Sequence, residues 1–475
     1  MSTRQRRPTD GVMDRRQFLR IAGLGGSGLV LVACGGAAPQ ATSTSQSEEG
    51  AAGGQKTTLA FWLPGGSDTY YKAHQEISKA YTKSHPNITT QVTRHTGDQN
   101  FIEVLLARIA AGNPPDATVM WDTPVSLGAR GSLTELDGYM QIAQYAQAEN
   151  WPEAVLQSCQ FGGKTYGLPV TAGTYGIWYN QEMFEKKGIP SERDKFPKTW
   201  DELRRLSKEF TSWKGDRLET AGFLPWHDQY TLPIWSALNG SQIYDTENRK
   251  YTIDSEQNVA MMEYAVSWLD EEYKGDINKV NKSASWGVYE GEQGQPPAFQ
   301  EGRLASLIDG SWVMGDFYAS VKPKVERWNV AQLPVGPGGS DTVSGFWPNW
   351  LAIPKGSKNA EEVFKYLDYM SGEGVKTWFS AVPDMPTNKK VDPNLLPASV
   401  VSNRDEAFAR DAMDFFRRQQ DISTPMWTSP VQSFGNDQLG RVMERIMTKT
   451  AKPKDALAEA QKASQAELEK VLKGA

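Results

Sequence analysis

Between Thr58 and Asp122 the chain alternates strand-like and helix-like periods, and this constrains the fold more than any other feature. Thr58-Leu59-Ala60-Phe61-Trp62-Leu63 is a short apolar strand closed by Pro64-Gly65-Gly66. A helical period follows, with Ala73, Ile77, Ala80 and Tyr81 on one face, then a strand from Ile88 to Thr93. Phe101, Leu105 and Ile109 mark a second amphipathic helix, which Gly112 and Pro114-Pro115 end. Asp116 to Trp121 is another apolar strand, with Asp122 just past its end. Such alternation predicts an α/β fold, a mainly parallel sheet covered by helices on both faces. Ligands of these sheets bind beyond the carboxyl ends of the strands. Ser67, Trp121 and Asp122 hold that kind of position, whereas Trp62 suits either the cleft or the core.

The later sequence continues in the same manner. Gly162 to Pro169 reads as a hairpin-like turn leading into an extended run, Val170 to Tyr179. Thr199-Trp200-Asp201-Glu202 is a capping box opening a helix with Leu203, Leu206 and Phe210 inside. Trp226, His227, Tyr230 and Trp235 form an aromatic patch without clear periodicity. A long helix runs from Gln257 to Tyr273 with Val259, Met262, Val266 and Leu269 on its core face. Leu304 to Ile308 is a strand followed by Asp309-Gly310-Ser311-Trp312, and Trp350 to Pro354 is another. Helices at 361–370, 405–419, 436–448 and 454–473 complete the chain, and no internal repeat is visible. At 475 residues it can hold two or more sizeable cores.

The N-terminus sets the compartment. Arg15-Arg16-Gln17-Phe18-Leu19, a short apolar run from Ile21 and then Leu31-Val32-Ala33-Cys34 have the layout of a twin-arginine export signal ending in a lipobox. The run is too short to cross roughly 30 Å of hydrocarbon comfortably. Residues 1–34 therefore read as a signal, with Cys34 lipidated and the rest held at the outer face of the cell membrane. Gly23-Leu24-Gly25-Gly26-Ser27-Gly28 fits a nucleotide-binding pattern, but it lies inside the signal with no strand before it. Residues 35–56, built of Gly, Ala, Ser, Thr and Gln, form a flexible linker with a mean reach of about 25 Å. Residues 1–34 carry +4, so the total of −6 leaves −10 for the remainder. That balance argues against nucleic acid. Cys159 has no partner left for a disulfide and reads as a buried, inert thiol. No cofactor and no metal site is expected, because no Cys/His cluster has ligand spacing and only His74, His85, His95 and His227 exist.

Blocks in one order then resemble a known family, the extracytoplasmic solute-binding proteins of ABC importers, in their maltose-binding-like sugar group. They are the opening strand; Ala111-Gly112-Asn113-Pro114-Pro115-Asp116; Gly167-Leu168-Pro169 through Trp178-Tyr179-Asn180 to the Thr199 cap; and Phe299-Gln300-Glu301-Gly302-Arg303-Leu304-Ala305 through Gly310-Ser311-Trp312. The resemblance implies a two-lobed, periplasmic-binding-protein-like (type II) fold, each lobe a mixed, mainly parallel sheet flanked by helices, with crossing segments as a hinge. It places lobe one at 57–168 and 311–357 and lobe two at 169–310 and 358–475. It also implies a monomer that hands its ligand to an ABC permease.

The resemblance gives Trp312 the place of a cleft tryptophan, puts Thr174 and Tyr175 on the first crossing, and makes Trp226, His227 and Tyr230 a second-lobe sugar platform. Asp309 either bonds hydroxyls or caps the next turn. Trp347, within Phe346-Trp347-Pro348, and Trp427 are further candidates. Sugar is the favoured ligand for a physical reason: aromatic faces match the apolar C–H faces of a pyranose, and carboxylates accept from its hydroxyl rim. With 16 Trp, 17 Tyr and 17 Phe, the chain has the rings for it. A secreted glycoside hydrolase would need two facing carboxylates, for which Asp122 and Asp309 are conceivable, but no other catalytic signal is present and no enzyme is expected. A non-sugar solute such as glycerol phosphate would want cleft arginines, and Arg94 alone lies near a strand end in the first lobe.

Overall fold

The longest strand, Leu168–Asn180, is buried along its whole length and joins the two halves of the molecule. The computed structural model describes residues 56–95, 100–225, 229–289, 295–319, 325–424 and 427–474. The export signal with Cys34, and the candidates Trp226 and His227, lie outside them.

The first half follows the expected alternation: β1 (Thr57–Leu63), α1 (Asp68–Ser84), β2 (Ile88–Arg94), α2 (Phe101–Ala110) and β3 (Ala117–Met120). β1 pairs in parallel with β2 and with β3. Ser67 and Asn100 cap the two helices, their side-chain oxygens accepting from the backbone N–H groups of Tyr70 and Ile102. On α1, Ala73, Ile77 and Tyr81 are buried as expected, while Ala80 faces solvent.

Parallel pairing is largely confined to this half. The long strand, β4 (Leu168–Asn180), is antiparallel to its other partners. Further along come α3 (Trp200–Phe210), with its capping box formed, and α4 (Glu256–Glu272). The core face of α4 is Met261, Met262, Ala265, Trp268 and Leu269, with Val259 and Val266 only half-buried. β5 (Ser306–Gly310), α5 (Val313–Ala319) and β6 (Trp328–Ala331) follow, then β7 (Ser344–Ala352), which starts earlier than its apolar end indicates. The carboxyl half of β4 pairs with β5 and β6, and its amino half with β7, where the register shifts at Asn349/Trp350. The remaining helices used below are α6 (Ala360–Tyr369), α7 (Val375–Ala381), α8 (Glu406–Gln420), α9 (Gln432–Met447) and α10 (Pro453–Gly474).

Two hydrophobic cores result, one per lobe. The first joins Phe61, Ile77 and Val119 to Leu168, Val170 and Trp350. The second joins Tyr175 and Trp178 to Leu203, Trp268, Phe416 and Leu439. β4 passes from one to the other between Val170 and Tyr175, and β7 does so between Trp350 and Trp347, which packs on the second core. The cores divide the later chain differently from the expected boundaries. Val313, Phe317 and Trp328 join the second core, because β6 adds to the carboxyl half of β4. Val363, Leu367 and Trp378 of α6 and α7 join the first core.

Candidate functional site

A cavity of about 770 Å³ is lined by side chains from both cores. Its first wall begins where β1 ends. Gly66 has φ 96°, and a Cβ there would sit 2.6 Å from the Tyr70 ring, so the turn needs glycine. Ser67 Oγ accepts from Tyr70 N at 3.2 Å. Asp316 on α5 is half-buried, and that burial raises its pKa against the opposing influence of the nearby Ser67 and Thr69 hydroxyls. Tyr70 is buried, its ring 5.3 Å from Trp378 and 6.2 Å from Trp121.

Trp312 forms the middle of the site and packs on both cores. Its ring occupies the space that side chains at residues 173 and 310 would fill. A Cβ on Gly173 would lie 2.3 Å from the indole, and one on Gly310 2.1 Å away. Strand glycines here allow a bulky ring to approach bare backbone. Tyr175 meets that ring edge-on at 5.1 Å. Beside it, Asp309 Oδ1 accepts from Gly310 N at 2.8 Å.

Asp384 closes the same end. Its Oδ2 accepts from Trp378 Nε1 and from Asn349 Nδ2, each at 3.3 Å. Its Oδ1 is buried and has no hydrogen-bond partner. Burial, together with the nearby Asp316 carboxylate, pushes its pKa up to about 7, and the two donated bonds offset only part of that.

At the opposite end, residues of the first lobe meet α9. Asn436 Nδ2 donates to Asp122 Oδ1 at 3.1 Å, Asn100 Nδ2 to Ser433 Oγ at 3.4 Å, and Thr123 N to Gln432 Oε1 at 2.6 Å. Burial pushes Asp122 up to about 6, the Asn436 bond opposing it. Tyr230 and Trp347 add a T-shaped pair with ring centres 5.3 Å apart.

Of the residues singled out from sequence, the cavity brings together Ser67, Trp121, Asp122 and Tyr175 with Tyr230, Asp309, Trp312 and Trp347. Three others lie outside its lining. Trp62 packs on the first core, with its ring 6.5 Å from Phe101 and the Arg108 guanidinium 5.9 Å from it. Thr174 is sealed and donates to Phe416 O at 2.8 Å. Trp427 is buried against Tyr244 and Tyr251. Sequence reasoning missed Tyr70, Tyr289, Asp316, Asn349, Asp384 and Asn436. Tyr70 lies on α1 with its ring buried, whereas its neighbour Tyr71 is half-buried. Cys159 is buried between the Leu156 and Gly167 carbonyls, and burial pushes its thiol pKa up. Among the described residues no helix is long and apolar enough to cross a membrane, and no group of His, Cys, Asp and Glu could hold a metal ion.

Known proteins share this architecture. A maltooligosaccharide ABC transporter solute-binding lipoprotein of Streptococcus pneumoniae is 26% identical over 370 residues, 76% of this chain and 78% of its own. The maltodextrin-binding protein MdxE of Bacillus subtilis is 23% identical over 353 residues, 71% of this chain and 77% of its own. The solved structure of CpMnBP1 with mannotriose bound superposes with a TM-score of 0.72 at 21% identity, covering 86% of this chain and 100% of that one. Residues 65–377 match the bacterial extracellular solute-binding proteins, and the chain belongs to that family.

Proposed function

We propose that the protein captures a sugar of oligosaccharide size between its lobes and presents the closed form to an ABC permease. The observation that carries this is the composition of the cavity wall. Rings from both lobes, Trp121, Trp312 and Trp347 among them, alternate with carboxylates and amides, and the described lining holds no lysine or arginine. Ring faces bury the apolar side of a pyranose, and Asp122, Asp309 and Asn349 serve its hydroxyls. Arg94, the one cation that favoured an anionic solute, instead donates to Gly66 O and pairs with Asp68. A volume of about 770 Å³ falls within the roughly 300–1,000 Å³ range of ligand sites.

In this reading β4 and β7 are the crossing strands of a hinge. Lobe one comprises the chain up to Val170 together with α6 and α7; lobe two comprises the rest of β4 through β6 together with α8 to α10. Residues 1–34 act as the export signal, lipid on Cys34 tethers a monomer at the outer face of the membrane, and 35–56 is the tether. A thermal-shift screen of mono- and oligosaccharides tests the function. A sugar at about 100 times its Kd adds about 2.7 kcal/mol to stability and raises Tm. If no sugar moves Tm while a phosphate ester or an amino acid does, sugar capture is refuted.

A further inference from the structure

Two side-chain acceptors at the Trp312 end take no donor from the described residues. Asn349 lies on β7 two residues beyond Trp347, so the two share a strand face, and both line the cavity. The Asn349 Nδ2 spends both its hydrogens within the protein, donating to Thr171 Oγ1 at 2.9 Å and to Asp384 Oδ2 at 3.3 Å. An ionised carboxylate can only accept, so the amide cannot turn over, and its Oδ1 is left without a donor among the described residues. Asp384, also in the cavity wall, repeats the pattern. Its Oδ2 accepts from Trp378 and Asn349, which fixes the carboxylate, and its Oδ1 is a buried acceptor with no partner. That oxygen and Trp312 border the same glycine. A Cβ on Gly173 would meet the indole at 2.3 Å and Asp384 Oδ1 at 3.1 Å, so only glycine leaves room for both.

A buried acceptor without a donor is costly, and a ligand that brings the donor recovers that cost. This pair has nothing to donate in return, because the Asn349 hydrogens are engaged and an ionised Asp384 carries none. A hydroxyl fits, since it supplies a proton. A glycosidic or ether oxygen, a carbonyl or a fluorine only accepts, and would set lone pairs against lone pairs. We infer that Asn349 and Asp384 form an acceptor-only seat beside Trp312, which selects solutes presenting a free hydroxyl there and rejects those capped or oxidised at that position. This inference rests on the sugar-capture reading and narrows its substrate class to sugars bound through an uncapped unit.

Calorimetry on the purified protein at about pH 8.5 tests it, because Asp384, with its pKa pushed up to about 7, is ionised there. Mono- to trisaccharides of gluco, galacto, manno, xylo and arabino configuration are titrated first. The tightest is then compared with its monodeoxy, monodeoxyfluoro and mono-O-methyl analogues. At one ring position at least, all three analogues are expected to bind about tenfold or more weakly than the parent. In Asp384→Asn the side-chain carbonyl keeps the bonds from Trp378 and Asn349, and an amide NH₂ stands where Oδ1 stood. A hydroxyl can serve either group, whereas fluorine only accepts, so the hydroxyl-to-fluorine gap at that position should shrink to about threefold or less. Asn349→Ala should shrink the same gap, and it provides the test if Asp384→Asn fails to fold. Analogues that all bind within about threefold of the parent, or a gap that persists in whichever of the two variants folds, overturn the acceptor-only seat and leave sugar capture standing. No binding by any sugar of the panel overturns both.

Discussion

The two ends of the cavity both place a carboxylate where burial raises its pKa, but they are built differently. Asp384 takes its hydrogen bonds from Trp378, a first-core residue, and from Asn349 on the crossing strand β7. Asp122 takes its bond from Asn436, on the helix that contributes Leu439 and Val442 to the second core. The two bonds to Asp384 therefore come from one lobe and a crossing strand, whereas the bond to Asp122 reaches across from the helix of the other lobe. We propose that the Trp312 end is a preformed seat and that the α9 end is a contact that registers closure.

The largest effect should come from removing the seat. Trp312→Ala deletes the ring that meets both cores and should weaken sugar affinity at least about tenfold, measured by calorimetry. Gly310→Ala should approach the same loss without deleting any ring atom, because the new methyl needs space the indole already fills. If Gly310→Ala binds normally, Trp312 moves freely and the seat is not preformed.

Next is pH. Both carboxylates have folded pKa values above the ordinary 3.8, about 7 for Asp384 and about 6 for Asp122. Between those limits the folded state keeps a proton that the unfolded chain has lost, so stability falls as pH rises. The Asp384 contribution should fall from about pH 4 to pH 7 and then level off, a change on the order of a few kcal/mol. Asp384→Asn should flatten that slope in Tm-versus-pH curves. Asp122 should act with the same sign over pH 4 to 6, and only while α9 covers it. If Asp122→Asn leaves the ligand-free curve unchanged but flattens the ligand-bound one, the free protein is mostly open.

How much of this was legible follows from the same contrast. β1 to β3, the capping box of α3 and the Trp121-Asp122 pair were readable because each is written in one local stretch. Thr174 and Tyr175 were both placed in the site, yet neighbours on a strand point to opposite faces: Tyr175 reaches the cavity and Thr174 the α8 backbone. Asn436 was read as the start of a helix that in fact begins at Gln432, because Gln432 to Gly435 shows no apolar period. The turn of α9 that touches lobe one was therefore invisible. Asp384 sits in a loop after α7, and only tertiary packing brings it beside Gly173. Local patterns predicted elements; contacts between distant elements had no signature in either stretch.

A smaller effect is expected across the closing contact. Gln432→Ala removes the acceptor for Thr123 N and the donor to Trp427 O, joined at 2.6 and 2.7 Å. Neither bond touches the cavity seat, so the variant should lose affinity only severalfold, by making closure less favourable. Solution scattering should show a larger radius of gyration without ligand and an unchanged one with it. A loss as large as that of Trp312→Ala would show that α9 holds ligand as well as lobe.

The smallest effect belongs to Arg130 and Glu467. They pair at 3.6 Å between the first lobe and α10, with side chains 35% and 23% exposed. An ion pair this long and this wet contributes between 0 and about 1 kcal/mol, and salt screens it. Arg130→Ala should therefore change sugar affinity by about twofold or less, and high salt should erase even that difference. The residue nevertheless spans the same two lobes as Gln432, which makes the pair of variants informative. If closure depended only on how many bonds cross between the lobes, the two substitutions would cost alike. Buried amide bonds are expected to dominate because their donors and acceptors have no water to return to while the lobes stay shut, whereas Arg130 simply rehydrates. Equal losses for Arg130→Ala and Gln432→Ala would break the distinction between a contact that registers closure and one that merely accompanies it.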